Sequence, residues 1–292
     1  MGKSREIKKR MKAVGNIKRI TRTMQMIATA KYSASQQRAV AGKPYTETLF
    51  DLVREIAASG GSVEHPLLAS DEGESRKGKT LTLVLTSERG LCGPYNGSIL
   101  RTTLKYFRET EGAREGDIDL VGKKGLGVLK FNEIPIARFH TQFGDTPNYE
   151  EVQRLAQDYI DRFSAGEISV VRVIYMRYIS AGKQIPEVMQ LLPLPRPEGG
   201  ESEQASGADY EFSPAGPELI AELLPAAIKA RLFQAFNDAI VSEHIARMVA
   251  MKAATDNAGK MGKSLQRQFN RARQSQITTE LTEIISGAAA LE

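Results

Sequence analysis

"SEHIARMVAMKAATDNAGKMGKSLQRQFNRARQSQITTELTEIISGAAAL", Ser242 to Leu291, decides how this chain is built. Starting from Ile240 or Val241, apolar residues recur at Ile245, Met248, Met251, Ala254, Ala258, Met261, Leu265, Phe269, Ala272, Ile277, Leu281 and Ile284. Steps of three, four and occasionally five place them along one side of a helix. The same texture begins near Pro217, with Pro225 as either a kink or a fresh first-turn position. At 1.5 Å per residue, about 65 helical residues extend on the order of 100 Å, farther than one globular domain can cover. The helix therefore needs a second helix along its length. Gly259 and Gly262 each cost roughly 1 kcal/mol relative to alanine in a helix interior. They suit a close approach of two backbones or a curve in the rod.

The N-terminus supplies the partner. Ile7, Met11, Val14, Ile17, Ile20, Met24, Ile27 and Ala30 repeat at helical spacing, and "ETLFDLVREIAA" resumes it after Gly42 and Pro44, where a kink or restart is expected. Two helices at opposite ends of one chain pair most simply as an antiparallel coiled coil.

Between them the texture changes. Residues 80 to 195 alternate strand-like and helix-like runs: "TLTLVLT", a helix over Asn96 to Arg108, "IDLVG", a short helix over Lys124 to Phe131, "IARFH", the helix "NYEEVQRLAQDYIDRF", and the strand "ISVVRVIYMRYIS". That alternation is the signature of an α/β layer with a largely parallel sheet. The expected organisation is an N-terminal helix over 1–58, a linker over 59–79, an α/β domain over 80–195, a polar glycine-rich loop over 196–216 with a possible hairpin around Tyr210 and Phe212, and a C-terminal helix over 217–292.

Charge is distributed unevenly. The chain of 292 residues has a net charge of +5, but residues 1 to 43 hold twelve lysines and arginines against one acid, Glu6, so that segment carries +11 and the remainder −6. An anionic partner is implied for the N-terminal segment: nucleic acid, a lipid surface or an acidic protein. A basic, acid-poor start also resembles a transit peptide, but the helical pattern runs on well past residue 30 and reads as mature structure. One cysteine, Cys92, allows no internal disulfide and fits a reducing compartment. No apolar run reaches the eighteen residues that a membrane-spanning helix requires.

The search for chemistry yields weak signals. "GESRKGKT", Gly73 to Thr80, satisfies the phosphate-loop pattern, but it precedes a strand instead of joining a strand to a helix, which is the order the phosphate cradle needs. "GKKGLG", Gly122 to Gly127, lacks both the dinucleotide glycine spacing and a ribose-binding acid about twenty residues on. His65, His140 and His244 have no second ligand at metal spacing. Cys92, in "RGLCGPYNG", follows a strand where α/β active sites often lie, yet no base is near it in sequence; a tight glycine turn holding a buried thiol is the plainer account. Glu280 and Glu283, one turn apart, read as a solvated face. No catalytic residue, cofactor site or metal site is expected.

Five strings carry a resemblance: "IKKRMKAVGNIKRITRTMQMIATAKY" from Ile7, "SERGLCGPYNGSI" from Ser87, "LLPLP" from Leu191, "SEHIARMVAMKAATDNAGKM" from Ser242 and "NRARQSQITTELTEIISGAAAL" from Asn270. Together they resemble the gamma subunit of rotary ATP synthases. With the residue reading, the expected fold is α/β, a long antiparallel coiled coil of the terminal helices flanking a Rossmann-like α/β domain. The resemblance implies a non-catalytic central stalk inside a ring of three alpha and three beta subunits, with the α/β domain near epsilon and the membrane rotor ring. It implies a peripheral location on the cytoplasmic face of a bacterial inner membrane, with no nucleic acid and no directly bound nucleotide. It also implies beta contacts at Met24, Arg273 and Gln274, with Thr278, Glu280 and Glu283 on the same C-terminal string.

The chain departs from chloroplast relatives in lacking a second cysteine, and loop 196–216 is its least family-like part. A P-loop nucleotide protein, from Gly73 to Thr80, and a basic coiled-coil nucleic-acid binder, from the +11 segment, are the competing readings. The second is weakened because Tyr32 is the only aromatic in the first 43 residues, too few for stacking on bases.

Overall fold

A computed structural model describes residues 2–59, 65–68, 78–194 and 216–289. The elements in chain order are α1 (Gly2–Ser59), β1 (Lys79–Leu85), α2 (Tyr95–Glu109), β2 (Asp117–Val121), a 3₁₀ turn (Lys123–Gly125) leading into α3 (Leu126–Phe131), β3 (Arg138–His140), α4 (Tyr149–Ser164), β4 (Ile168–Ser180), β5 (Lys183–Leu192) and α5 (Gly216–Ala289). They form two compact units, one of residues 31–246 and one of residues 1–30 with 247–292.

In the larger unit the sheet order is β3-β2-β1-β4-β5. The first four strands run parallel, and β5 returns antiparallel to β4. Period-two alternation sends Leu81, Leu83, Leu85, Val171 and Val173 to one face, where they meet α4 and the Leu224 to Ala239 stretch of α5. Val84, Ile118, Leu120 and Ile174 face α2 and α3 on the other side. The result is a three-layer α/β/α unit in which α5 is part of the core. Beside α5 runs α1: Leu49 packs with Ala227 and Ala230, and Gln234 Nε2 donates to the Ala39 carbonyl at 3.4 Å. Rising numbers on α1 meet falling numbers on α5, so the pair is antiparallel.

The smaller unit continues the same relation. Val14 clusters with Ala258 and Leu265, Lys18 lies against Gly259, and Thr255 Oγ1 donates to Thr21 Oγ1 at 2.8 Å. The faces turned inward advance by seven: Ile7, Val14, Thr21 and Ala28 on α1, and Met251, Ala258, Leu265 and Ala272 on α5. A strict seven-residue repeat is the mark of a left-handed supercoil.

The structure corrects three expectations. The inward face of α1 is not the most apolar one: Ile17, Ile20 and Ile27 are 52%, 58% and 52% exposed, while Thr21 and Ala28 are buried. The bulky residues drift off the seam because their steps, mostly of three, fall short of the 3.5 residues per turn that the supercoil sets. Nor does a helix restart after Gly42 and Pro44, or begin afresh at Pro225; α1 and α5 run through. Complete burial of Leu224, Ala227 and Ile228 around Pro225, and of Leu49 and Val53 beyond Pro44, offsets a proline cost of about 3 kcal/mol. Finally, β5 was missed. Pro186 interrupts its sequence pattern, and an edge strand tolerates proline because one row of its backbone groups needs no partner. The expected hairpin around Tyr210 and Phe212 lies outside the described residues.

The seam makes a direct prediction. Ala28→Leu introduces bulk where two helices close on each other and is expected to destabilise the full chain by about 1–3 kcal/mol. Ile27→Ala, one residue away on the exposed side, is expected to change stability by no more than roughly 0.5 kcal/mol. Urea unfolding followed by helical circular dichroism measures both.

Candidate functional site

Three places in the larger unit carry polar groups that could do chemistry. The first is the start of β1. Gly78 precedes the strand, Lys79 and Thr80 are its first two residues, and Thr80 Oγ1 donates to the Gly112 carbonyl at 3.0 Å. A phosphate loop needs its lysine and threonine to open a helix, so strand geometry here defeats the nucleotide reading. Gly73 to Arg76 and Lys77 lie outside the described residues.

The second is the turn after β1. Leu91 and Gly93 adopt φ of 63° and 56°, which folds the chain tightly and turns Cys92 inward. Asn96 Nδ2 donates to the Cys92 Sγ at 3.2 Å, Ser87 Oγ lies 3.7 Å away, and the Arg89 carbonyl 3.9 Å. None of these three groups is a base that could take the thiol proton. The neighbouring "GKKGLG" has a backbone explanation. Gly122 has φ of 85°, and a Cβ there would fall 2.1 Å from the Thr86 carbonyl oxygen.

The third was not foreseen. Asp119 is fully buried in β2 and accepts from Tyr159 Oη at 2.8 Å, with Arg138 Nε at 3.2 Å and His140 Nε2 at 3.5 Å. Burial pushes its carboxyl up, but the hydrogen bonds from His140 and Tyr159 and the charge of Arg138 outweigh that and hold it below the usual carboxylate range. Burial and the adjacent carboxylate push the Tyr159 hydroxyl well up. The Asp119 carboxylate finds its partners within the fold and ties β2, β3 and α4 together. A sequence signal existed: an aspartate in the middle of an apolar strand must find partners. Among the described residues no three His, Cys, Asp or Glu side chains are grouped to hold a metal ion.

The beta-contact candidates lie in the smaller unit. Met24 is half-buried on α1, whereas Arg273, Gln274, Thr278, Glu280 and Glu283 are exposed on α5. They do not form one cluster. The antiparallel register sets Met24 opposite about residue 252, so Arg273 lies roughly 30 Å farther along α5. Within the α5 group, Gln276 Nε2 donates to Glu280 Oε1 at 2.9 Å and Thr278 Oγ1 to the Gln274 carbonyl at 3.0 Å. From about residue 275 to Ala289, α5 has no α1 residue opposite it among the described residues, and Ile277, Leu281, Ile284 and Ile285 are exposed. The described surface of this unit is basic, with exposed apolar residues along both helices.

Comparison with known proteins decides the family. A family model described as ATP synthase matches residues 3–291. The ATP synthase gamma chain of Rhodopirellula baltica is 44% identical over 100% of both chains. The chain belongs to the ATP synthase gamma family. The gamma chain of Rubrobacter xylanophilus is 36% identical over 100% of this chain and 99% of its own. Among solved structures, a chain in the Euglena gracilis mitochondrial ATP synthase (OSCP/F1/c-ring, rotational state 3) superposes with a TM-score of 0.66 at 18% identity, covering 99% of this chain and 95% of that one. A chain of the rotor from the same organism gives 0.62 at 18%, covering 94% and 99%. At that identity the likeness establishes the fold: two long terminal helices around a sheet of this topology. As a member of the gamma family, the chain is a subunit of a membrane-associated complex. No helix among the described residues is long and apolar enough to cross a membrane.

Asp238 on α5 gives this unit a pH signature. Burial dominates, and although Gln234 Nε2 donates to it at 2.8 Å and Arg177 and Lys43 lie nearby, its pKa is pushed up to about 6 from 3.8. The folded chain therefore holds this proton more tightly than the unfolded one. The resulting stability is complete below about pH 4 and is lost as pH rises through 6. Asp238→Asn keeps the Gln234 hydrogen bond and removes the titration. Relative to wild type, the variant is expected to gain on the order of 2–3 kcal/mol between pH 4 and pH 7 in denaturant unfolding of the full chain.

Proposed function

We infer that this chain is the central rotor of an ATP synthase and is itself non-catalytic. The observation that carries the reading is the antiparallel pair of terminal helices in a chain that matches the gamma family end to end. A single helix pair has no three-fold symmetry. Turning inside three chemically identical sites, it offers each a different face, so the sites hold different conformations at any instant. Rotation then becomes a change of nucleotide affinity, a coupling free energy between distant sites.

The partners follow from that role: three alpha and three beta subunits around the coiled coil, and epsilon and the membrane rotor ring at the α/β domain. Acidic loops of the beta subunits suit the basic residues of α1, and Ile17, Ile20 and Ile27, exposed in the isolated chain, gain a partner there. Met24, Arg273, Gln274, Thr278, Glu280 and Glu283 are the proposed beta contacts, and their separation along the rod fits two bands of contact. They transmit torque and take no part in bond chemistry. Bacterial relatives at 36–44% identity support a location on the cytoplasmic face of a bacterial inner membrane.

Deleting residues 270–292 tests this directly. In complexes rebuilt from alpha, beta and this chain, the truncation is expected to reduce rotation-coupled ATPase at least roughly tenfold, the loss of about 1.4 kcal/mol of coupling. Undiminished coupled activity argues against the role. Lys79→Ala serves as the control for the nucleotide reading. Equilibrium dialysis of the isolated full chain against labelled ATP is expected to give the same result for wild type and variant.

A further inference from the structure

Two polar groups of the α/β unit, from different connections of the sheet, reach the helix pair at a single level. The first is Asp145, in the loop between β3 and α4. Phe143 anchors this loop by packing 4.7 Å from Phe236 of α5, and Pro147 is also buried. Between these anchors the Asp145 carboxylate forms an ion pair with Lys31 of α1. His244 of α5 and Arg89 of the β1–α2 turn lie close enough for their charges to favour the carboxylate as well. The second is Tyr178, near the end of β4. Its hydroxyl lies 3.3 Å from the Tyr32 hydroxyl and accepts from Gln36 Nε2 at 3.3 Å, both on α1. Its backbone N–H faces the Asp238 carboxylate of α5.

Each group therefore engages both helices: Asp145 meets Lys31 and His244, and Tyr178 meets Tyr32, Gln36 and Asp238. The register explains why these fall at one level, since residues 31–36 of α1 run beside about residues 240–245 of α5. Lys31 and Ala246 are also the outermost helix residues of the larger unit. The other contacts of the helices with the sheet combine apolar packing, such as Phe50 and Val53 against the core, with α5 bonds from Ser242 Oγ to the Met176 carbonyl and from Arg231 Nε to Met189 Sδ, each 3.3 Å long. Apolar packing is non-directional and resists sliding or rolling weakly; hydrogen bonds and ion pairs fix angle as well as distance.

We propose that Asp145 and Tyr178 are positioning residues that fix the rotational setting of the α1–α5 pair against the sheet, so that torque entering the α/β domain is passed to the helices without slip. This rests on the rotor reading above. Neither residue is among the proposed beta contacts, so they act on coupling and leave catalysis at the neighbouring subunits alone.

The test uses the complete membrane-bound enzyme carrying Lys31→Met, Asp145→Asn, the double variant, Asp145→Glu and Tyr178→Phe. Two quantities are read: ATP hydrolysis, and ions pumped per ATP against an imposed gradient. Hydrolysis and subunit stoichiometry are expected to match wild type. Pumping per ATP is expected to fall at least roughly twofold in Lys31→Met, Asp145→Asn and Tyr178→Phe, with the Lys31–Asp145 double variant no worse than either single one, as for two groups in one interaction. Asp145→Glu, which retains the charge, is expected to recover most of the ratio. A purely structural role would instead lower assembly or hydrolysis along with pumping. Variants that pump at the wild-type ratio, or losses that add fully in the double variant, overturn the proposal. If complexes with the unaltered chain do not pump at all, the rotor reading falls first, and this proposal with it.

Discussion

Val14 of α1 packs with Ala258 and Leu265 of α5, and seven residues on, Thr21 is bonded to Thr255. That repeat is the constraint on which the rest depends. Two helices of this length are stable only if each buries a continuous stripe against the other, and a stripe that stays in contact must repeat every 3.5 residues. Small side chains at Thr21, Ala28, Ser35 and Ala39 let the backbones approach closely. They also leave the larger apolar residues of α1 on the outside. An isolated chain gains nothing from exposing Ile17, Ile20 and Ile27; a shaft held in a protein bearing does.

Where small residues open the seam, a space between the helices is lined by Met11, Val14 and Lys18 of α1 and by Asp256, Lys260 and Lys263 of α5. Two of the buried polar groups in the larger unit draw their partners from neighbouring strands and turns. Asp119 draws on Tyr159, Arg138 and His140, and Cys92 is enclosed by Asn96, Ser87 and Arg89, so each serves to hold strands and turns in place.

Much of this was readable from sequence because the signals were local. The period of α5, the strands "TLTLVLT" and "ISVVRVIYMRYIS", and the loop-before-strand order at Lys79 each depend on neighbouring residues alone. What escaped were features set by distant ones. Pro44 and Pro225 are locally helix-breaking, yet burial of Leu49, Leu224 and Ile228 keeps both helices running. The true seam of α1 was hidden because Thr21 and Ala28 carry less hydrophobic signal than Ile20 and Ile27. Pairings such as Lys31 with Asp145 join residues more than a hundred positions apart, and nothing in either neighbourhood announces the other. The proposed beta contacts rest on family resemblance, since an exposed arginine on a helix looks alike whether or not a partner covers it.

The central claim is that this chain turns. It is tested most directly by watching it do so, in surface-fixed complexes of alpha, beta and this chain, with a probe bead on a cysteine introduced by Phe131→Cys at a position that is 86% exposed in the α/β domain. The account predicts one-directional rotation on addition of ATP, with three-fold pauses matching the three catalytic sites. ATP hydrolysis at full rate with the bead at rest would contradict it.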